Sequence, residues 1–116
     1  MKTHSIAAGA VAALSCLTLS ACFNLATQPT QITGSYVSPQ KYAAYDCSQL
    51  LVERDSLARQ ETILENAQTE RRKSSKVQAF WLGFGQGDGI EASELADARG
   101  NQEAVRKEEQ AKSCHA

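Results

Sequence analysis

The chain of 116 residues has little of what catalysis or nucleic-acid binding requires. Its formal net charge is −1, which lacks the basic excess expected of a nucleic-acid-binding domain. The two histidines, His4 and His115, lie near opposite ends of the chain, and no Ser/His/Asp arrangement accompanies either of them. The sequence therefore predicts no catalytic residue, no metal site, no noncovalent cofactor and no small-molecule substrate.

Glycine is sparse except between residues 83 and 89, where it occupies every second position. No strand pattern precedes this segment and no Lys-Ser/Thr pair follows it, so it does not predict a phosphate-binding loop. Its single acidic residue, Asp88, is too few for a calcium loop. The glycines instead predict a turn.

The start of the chain has the layout of an export signal. Lys2 precedes an apolar run of about 14 residues, which is followed by small residues. The run ends in Leu19-Ser20-Ala21-Cys22, which resembles a lipobox, the site at which bacterial lipoproteins are acylated on cysteine and cleaved before it. The resemblance implies that residues 1–21 are a lipoprotein signal peptide and that Cys22 is lipidated. The alternatives are an ordinary cut after Ala21, which would put Leu19 where a small residue is preferred, and an uncleaved anchor, which needs roughly 20 apolar residues.

The residue after Cys22 is Phe23 rather than Asp, which in enteric-type bacteria implies that a lipoprotein is transported onward to the outer membrane. We therefore expect a lipid-anchored protein of the cell envelope, in the outer membrane and facing the periplasm. Residues 23–37 are rich in Thr, Gln, Ser and Gly and contain Pro29, so residues 22–40 are predicted to be an extended, mobile tether.

Four cysteines are present, and two remain if Cys16 leaves with the signal peptide and Cys22 carries lipid. Cys47 and Cys114 lie near the two ends of the remaining region, and in an oxidising compartment they predict a disulfide. A redox or metal-binding pair is the alternative, but there is no Cys-x-x-Cys motif and His115 is a lone imidazole.

Two helices are predicted between these cysteines. Asp46 and Gln49 form a capping-box pattern, no Gly or Pro follows until residue 83, and Leu50, Leu57 and Leu64 recur every seven residues, which predicts a helix over about 47–79. Asp88 with Glu91 predicts a second capping box and a helix over about 90–113.

Residues 41–116 are thus expected to be an all-α, antiparallel two-helix hairpin closed at its base by the disulfide. The tyrosines Tyr36, Tyr42 and Tyr45 are expected to cover this base rather than to form a ligand cage.

Residues 80–89 form the predicted tip, and their large apolar side chains are too many to be buried between two thin helices. They either fold back or stay exposed as a contact patch, which comprises Phe80, Trp81, Leu82 and Phe84. Gly100 lies inside the second helix, where it either kinks the helix or allows another segment to pack closely against it.

Several motifs resemble those of a family of small, largely uncharacterised proteobacterial lipoproteins. They are Ser35-Tyr36-Val37-Ser38-Pro39 with Tyr42, Tyr45, Cys47, Gln49 and Leu50, then Phe80-Trp81, Gly87-Asp88 and Lys112-Ser113-Cys114. The chain departs from the family at Leu82, where the family has Pro, and at Arg99-Gly100-Asn101, where it has Lys-Gly-Glu. The resemblance implies an envelope lipoprotein and names no activity.

The sequence favours a structural or protein-interaction module over an enzyme. Its partner would be an envelope protein or a second copy of the chain, bound through the tip or the apolar seam. The alternative is a module that binds the membrane surface through the segment Arg71–Phe84, where four basic residues precede the aromatic ones.

Overall fold

A computed structural model describes residues 23–115, so the predicted signal peptide and Cys22 lie outside the described residues. Within that range the chain forms two short 3₁₀ helices, Pro29–Gln31 and Pro39–Tyr42, and two long helices, α1 (Cys47–Leu82) and α2 (Ile90–Ala111). Among these residues there is no strand, and α1 packs against α2. The predicted all-α, two-helix hairpin is confirmed.

Helix α1 begins where its capping box predicts. The Gln49 amide donates to the Asp46 carboxylate at 2.8 Å, and the Asp46 amide donates to the Gln49 side chain at 2.9 Å. It ends at Leu82, and its C-cap Gly83 has a left-handed φ of 83° and donates its amide to the Ala79 carbonyl at 2.8 Å. The helix is therefore three residues longer than predicted, and the first aromatic residues of the tip belong to its last turn.

The second predicted capping box is wrong. Gly89 is the N-cap of α2 and supplies no side-chain cap, because the Asp88 carboxylate is engaged elsewhere, with Thr27. The helix ends at Ala111 rather than at about 113. Beyond it, Ser113 adopts a positive φ of 52° and turns the chain toward Cys114.

A small apolar core lies at the base of the hairpin. It consists of Tyr42, Leu50, Leu57, Ala104 and Val105. The rings of Tyr42 and Tyr45 meet edge to face with centroids 5.2 Å apart, whereas Tyr36 is 84% exposed and takes no part in this cluster. Two of the three predicted tyrosines thus cover the base.

The predicted disulfide joins Cys47 to Cys114, with 5.5 Å between their Cα atoms. It links the start of α1 to the residues after α2, so both free ends of the hairpin are tied covalently. The bond closes a loop with a sequence separation of 67.

The predicted free tether needs correction. Residues 23–38, here called the strap, run along the helices, and Ala26 is fully buried. Ser35 donates its amide to the Ala96 carbonyl at 2.9 Å, and Arg72 donates to the Ala26 carbonyl at 2.6 Å. The composition of the strap indicates irregular backbone, but the polar side chains of both helices bind that backbone and hold it in place.

Candidate functional site

The predicted contact patch lies together at one end of the molecule and is open to solvent. Phe80, Trp81, Leu82 and Phe84 are 79, 76, 60 and 56% exposed. Phe80 and Trp81 meet edge to face with their ring centroids 5.2 Å apart. The four side chains therefore do not fold back over the hairpin, and their role as a contact patch stays a prediction.

The strap starts at this same end. Gly85 donates its amide to the Phe23 carbonyl at 2.6 Å, and the Asn24 side chain donates to the Gly85 carbonyl at 3.2 Å. A Cβ on Gly85 would lie 2.2 Å from the Ser75 hydroxyl oxygen of α1 and 2.9 Å from the Asn24 carbonyl oxygen of the strap, so glycine is required for the strap and α1 to come this close to the turn. The sequence showed glycines here but carried no signal that they receive the strap.

Asp88 fastens the strap to the turn. Its carboxylate accepts from the amide and the hydroxyl of Thr27, both at 2.6 Å, and from the side chain of the buried Gln68 at 2.7 Å. Burial alone would raise the pKa of this carboxyl, but the hydrogen bonds from Thr27 and Gln68 outweigh burial and hold the pKa below its usual value. The negative charge of Asp88 is thus stabilised by hydrogen-bond donors of the strap and of α1.

Arg99 fastens the middle of the strap. Its guanidinium pairs with Glu61 at 2.7 Å and Glu65 at 2.6 Å, and it also donates to the Pro29 carbonyl at 2.6 Å and to the Ile32 carbonyl. The hydrogen bond from Arg99 lowers the pKa of Glu61. Burial opposes the charge on Arg99, yet both glutamates outweigh it and raise the arginine pKa. One planar guanidinium therefore ties α1, α2 and the strap together.

The basic residues before the tip divide into two groups. Arg71 donates to the Gly87 carbonyl at 3.1 Å and Arg72 to the strap, so both act within the fold. Lys73 pairs with Glu70 at 2.7 Å on the surface, and Lys76 is exposed. Of the four basic residues of this segment, only the two lysines are exposed to solvent.

An open groove lies between the two helices, and no residue of the strap lines it. Its volume is about 430 Å³, and it is lined by Leu57, Gln60, Ile63, Leu64, Glu94, Asp97, Ala98 and Asn101. Leucine and alanine side chains form its floor, and Glu94 and Asp97 form an acidic rim. The sequence showed the leucine seam but not that one side of it stays open.

Within residues 23–115, no group of three or more His, Cys, Asp or Glu side chains is placed to hold a metal ion. In the same range neither helix combines the length and the apolar character needed to cross a bilayer.

No protein-family model, no curated protein and no solved structure matches this chain. Membership of the lipoprotein family that the motifs resemble therefore stays a prediction, as does lipidation of Cys22. A functional proposal rests on the residues of the chain itself.

Proposed function

We propose that this chain is a lipid-anchored module of the bacterial cell envelope that acts by binding protein and not by catalysis. The lipid on Cys22 holds it in the outer membrane, on the periplasmic side. The observation that supports this proposal is the open groove between α1 and α2, which combines an apolar floor with an acidic rim.

The groove is preformed. The disulfide fixes the helices at one end, and Arg99 bridges them to the strap on the opposite face. A surface that is rigid before binding loses less conformational entropy when a partner arrives, which favours affinity.

The chemistry of the groove specifies its partner. Leu57, Leu64 and Ala98 suit the apolar face of an amphipathic helix, and Ile63 adds an apolar edge that is 66% exposed. Glu94 and Asp97 are exposed carboxylates on the rim, so Lys or Arg beside the apolar face of the partner would be complementary. A helix of an envelope protein with apolar and basic faces is the partner that fits.

Photo-crosslinking in intact cells tests this function. A photoreactive residue in place of Ile63 should give a discrete crosslinked product, whereas the same residue in place of Arg59 should not, because Arg59 is exposed on α1 but does not line the groove. The Glu94→Lys/Asp97→Lys variant should abolish the product at position 63. Equal products at both positions, or none at position 63, would contradict the proposal, and two differently tagged copies show whether the partner is the same chain.

The anchor is tested separately. Mass spectrometry of the exported protein should find an acylated Cys22 as the first residue, in the outer-membrane fraction. The Cys22→Ser variant is the control and should carry no lipid.

A further inference from the structure

The position of Phe23 determines the direction in which an anchor on Cys22 leaves the molecule. Phe23 is bound to Gly85 at the tip through a 2.6 Å hydrogen bond. Consecutive Cα atoms lie about 3.8 Å apart, so acyl chains on Cys22 would be attached beside the tip and not beside the disulfide.

The side chains at this end are apolar and open to solvent. From α1 and the turn come the four residues of the contact patch, and from the strap come Phe23 and Leu25, which are 40 and 37% exposed. Ile90, at the start of α2, is also exposed. Tryptophan is favoured at the boundary between lipid headgroups and acyl chains, and Phe and Leu are typical of the apolar face of segments that lie in that boundary.

We infer that the hairpin tip docks onto the lipid surface that holds the anchor, with Phe23, Trp81 and Phe84 entering the interfacial region. This inference rests on the proposed lipid anchor at Cys22. A bilayer is favoured over a protein as the occupant because the attachment point of the anchor places a bilayer at the tip, where a protein would have to fit between lipid and hairpin.

The charges around the tip agree with this arrangement. Lys76 and Lys73 are exposed on α1, five and eight residues before Trp81, which is about 8 to 12 Å along the helix axis. Lysines at that distance reach anionic headgroups while the aromatic rings lie deeper. The charge of Asp88 is directed toward the strap rather than toward the lipid.

Docking at the tip would also set the orientation of the rest of the molecule. The 36 residues of α1 span about 54 Å, so the disulfide-closed base would stand up to about 50 Å from the membrane surface. The groove between the helices would then face the periplasm, where a protein partner can reach it.

Fluorescence of the acylated protein in vesicles tests the inference directly, because Trp81 is the single tryptophan of the chain. The vesicles contain phosphatidylethanolamine, phosphatidylglycerol and a phosphatidylcholine brominated on its acyl chains. Trp81 emission should shift to shorter wavelength, bromine should quench it, and aqueous iodide should quench it several-fold less than in the Cys22→Ser protein without vesicles.

The matched control moves the fluorophore to Tyr36, on the exposed outer side of the strap, in a Trp81→Phe/Tyr36→Trp variant. Iodide should quench that tryptophan fully, and bromine should not.

Vesicle flotation in the same samples separates the two proposals. Failure to float overturns the anchor, whereas flotation with Trp81 open to iodide overturns docking and leaves the anchor standing. Protection of Trp81 in native membranes but not in vesicles would assign the tip to a protein and would also overturn the inference.

Discussion

Gly100 and Ser35 touch through their backbones where the strap crosses α2. A Cβ placed on Gly100 would lie 1.9 Å from the Ser35 carbonyl oxygen, and Val37 lies 3.2 Å from the same point. Glycine inside this helix therefore serves close packing. Gly100→Ala should lower the free energy of unfolding by about 1 to 3 kcal/mol through overpacking, although alanine alone favours a helix by about 1 kcal/mol.

Urea unfolding monitored by circular dichroism measures this change. The control is Gln110→Ala, since Gln110 is exposed on the same helix, and its effect should stay within about 0.5 kcal/mol. A stabilised Gly100→Ala protein would show that the strap does not cross here.

Arg99→Lys should destabilise the fold by about 2 kcal/mol, because one ammonium cannot reach two carboxylates and two carbonyls as the planar guanidinium does. Amide hydrogen exchange should also increase in the strap. Arg106→Lys is the matched control, because Arg106 is exposed and pairs only with Glu103 in the described chain. If both variants behave alike, Arg99 does not hold the strap.

Stability should fall in acid through Asp88 and Glu61. Both carboxyl groups have pKa values below their usual ones in the folded state, so their contribution is fully present above about pH 5 and is lost as the pH falls through the lower folded-state values. The Asp88→Asn/Glu61→Gln variant should show a weaker dependence of the unfolding free energy on pH between about 2 and 5. Asp55→Asn, at an exposed site, should keep the dependence of the unmodified protein.

Stability should also fall in alkali, through Tyr42. Burial, and then the nearby Glu53, raise the Tyr42 pKa to about 12. Because the folded-state pKa exceeds the unfolded one, the contribution is complete below about pH 10 and is lost as the pH rises through 12, by up to about 3 kcal/mol. Tyr42→Phe should reduce this alkaline loss, and Tyr45→Phe should retain it. An unchanged pH profile in Tyr42→Phe would exclude Tyr42 as the titrating group.

Removing the disulfide should cost about 4 kcal/mol, the chain-entropy value for a loop with a sequence separation of 67. The Cys47→Ala/Cys114→Ala protein should unfold at lower urea concentration than the oxidised protein. Its midpoint should not respond to reductant, whereas that of the unmodified protein should. A loss below about 1 kcal/mol would mean that the strap and core alone hold the base.

The helices were predictable because their signals are local in the sequence. The disulfide was predictable because only two cysteines remained to be paired. The capping residues of α1 lie within one helical turn of each other, and its leucines recur about every two turns. The end of α1 was placed three residues early because an exposed aromatic turn shows no amphipathic period. The cap of α2 was misassigned because Asp88 has a partner 61 residues away, which no local pattern reveals.

The sequence by itself determined two helices, the turn between them, one covalent closure and an aromatic group too large to bury. Only the tertiary structure decided that the strap lies along the hairpin, that Gly100 is its crossing point, and that the strap starts at Gly85 in the turn. The reason is physical: helices follow from interactions three or four residues apart, whereas the strap is held by hydrogen bonds to residues 41 to 70 positions away. Such contacts leave no period in the sequence and exist only after the helices have formed.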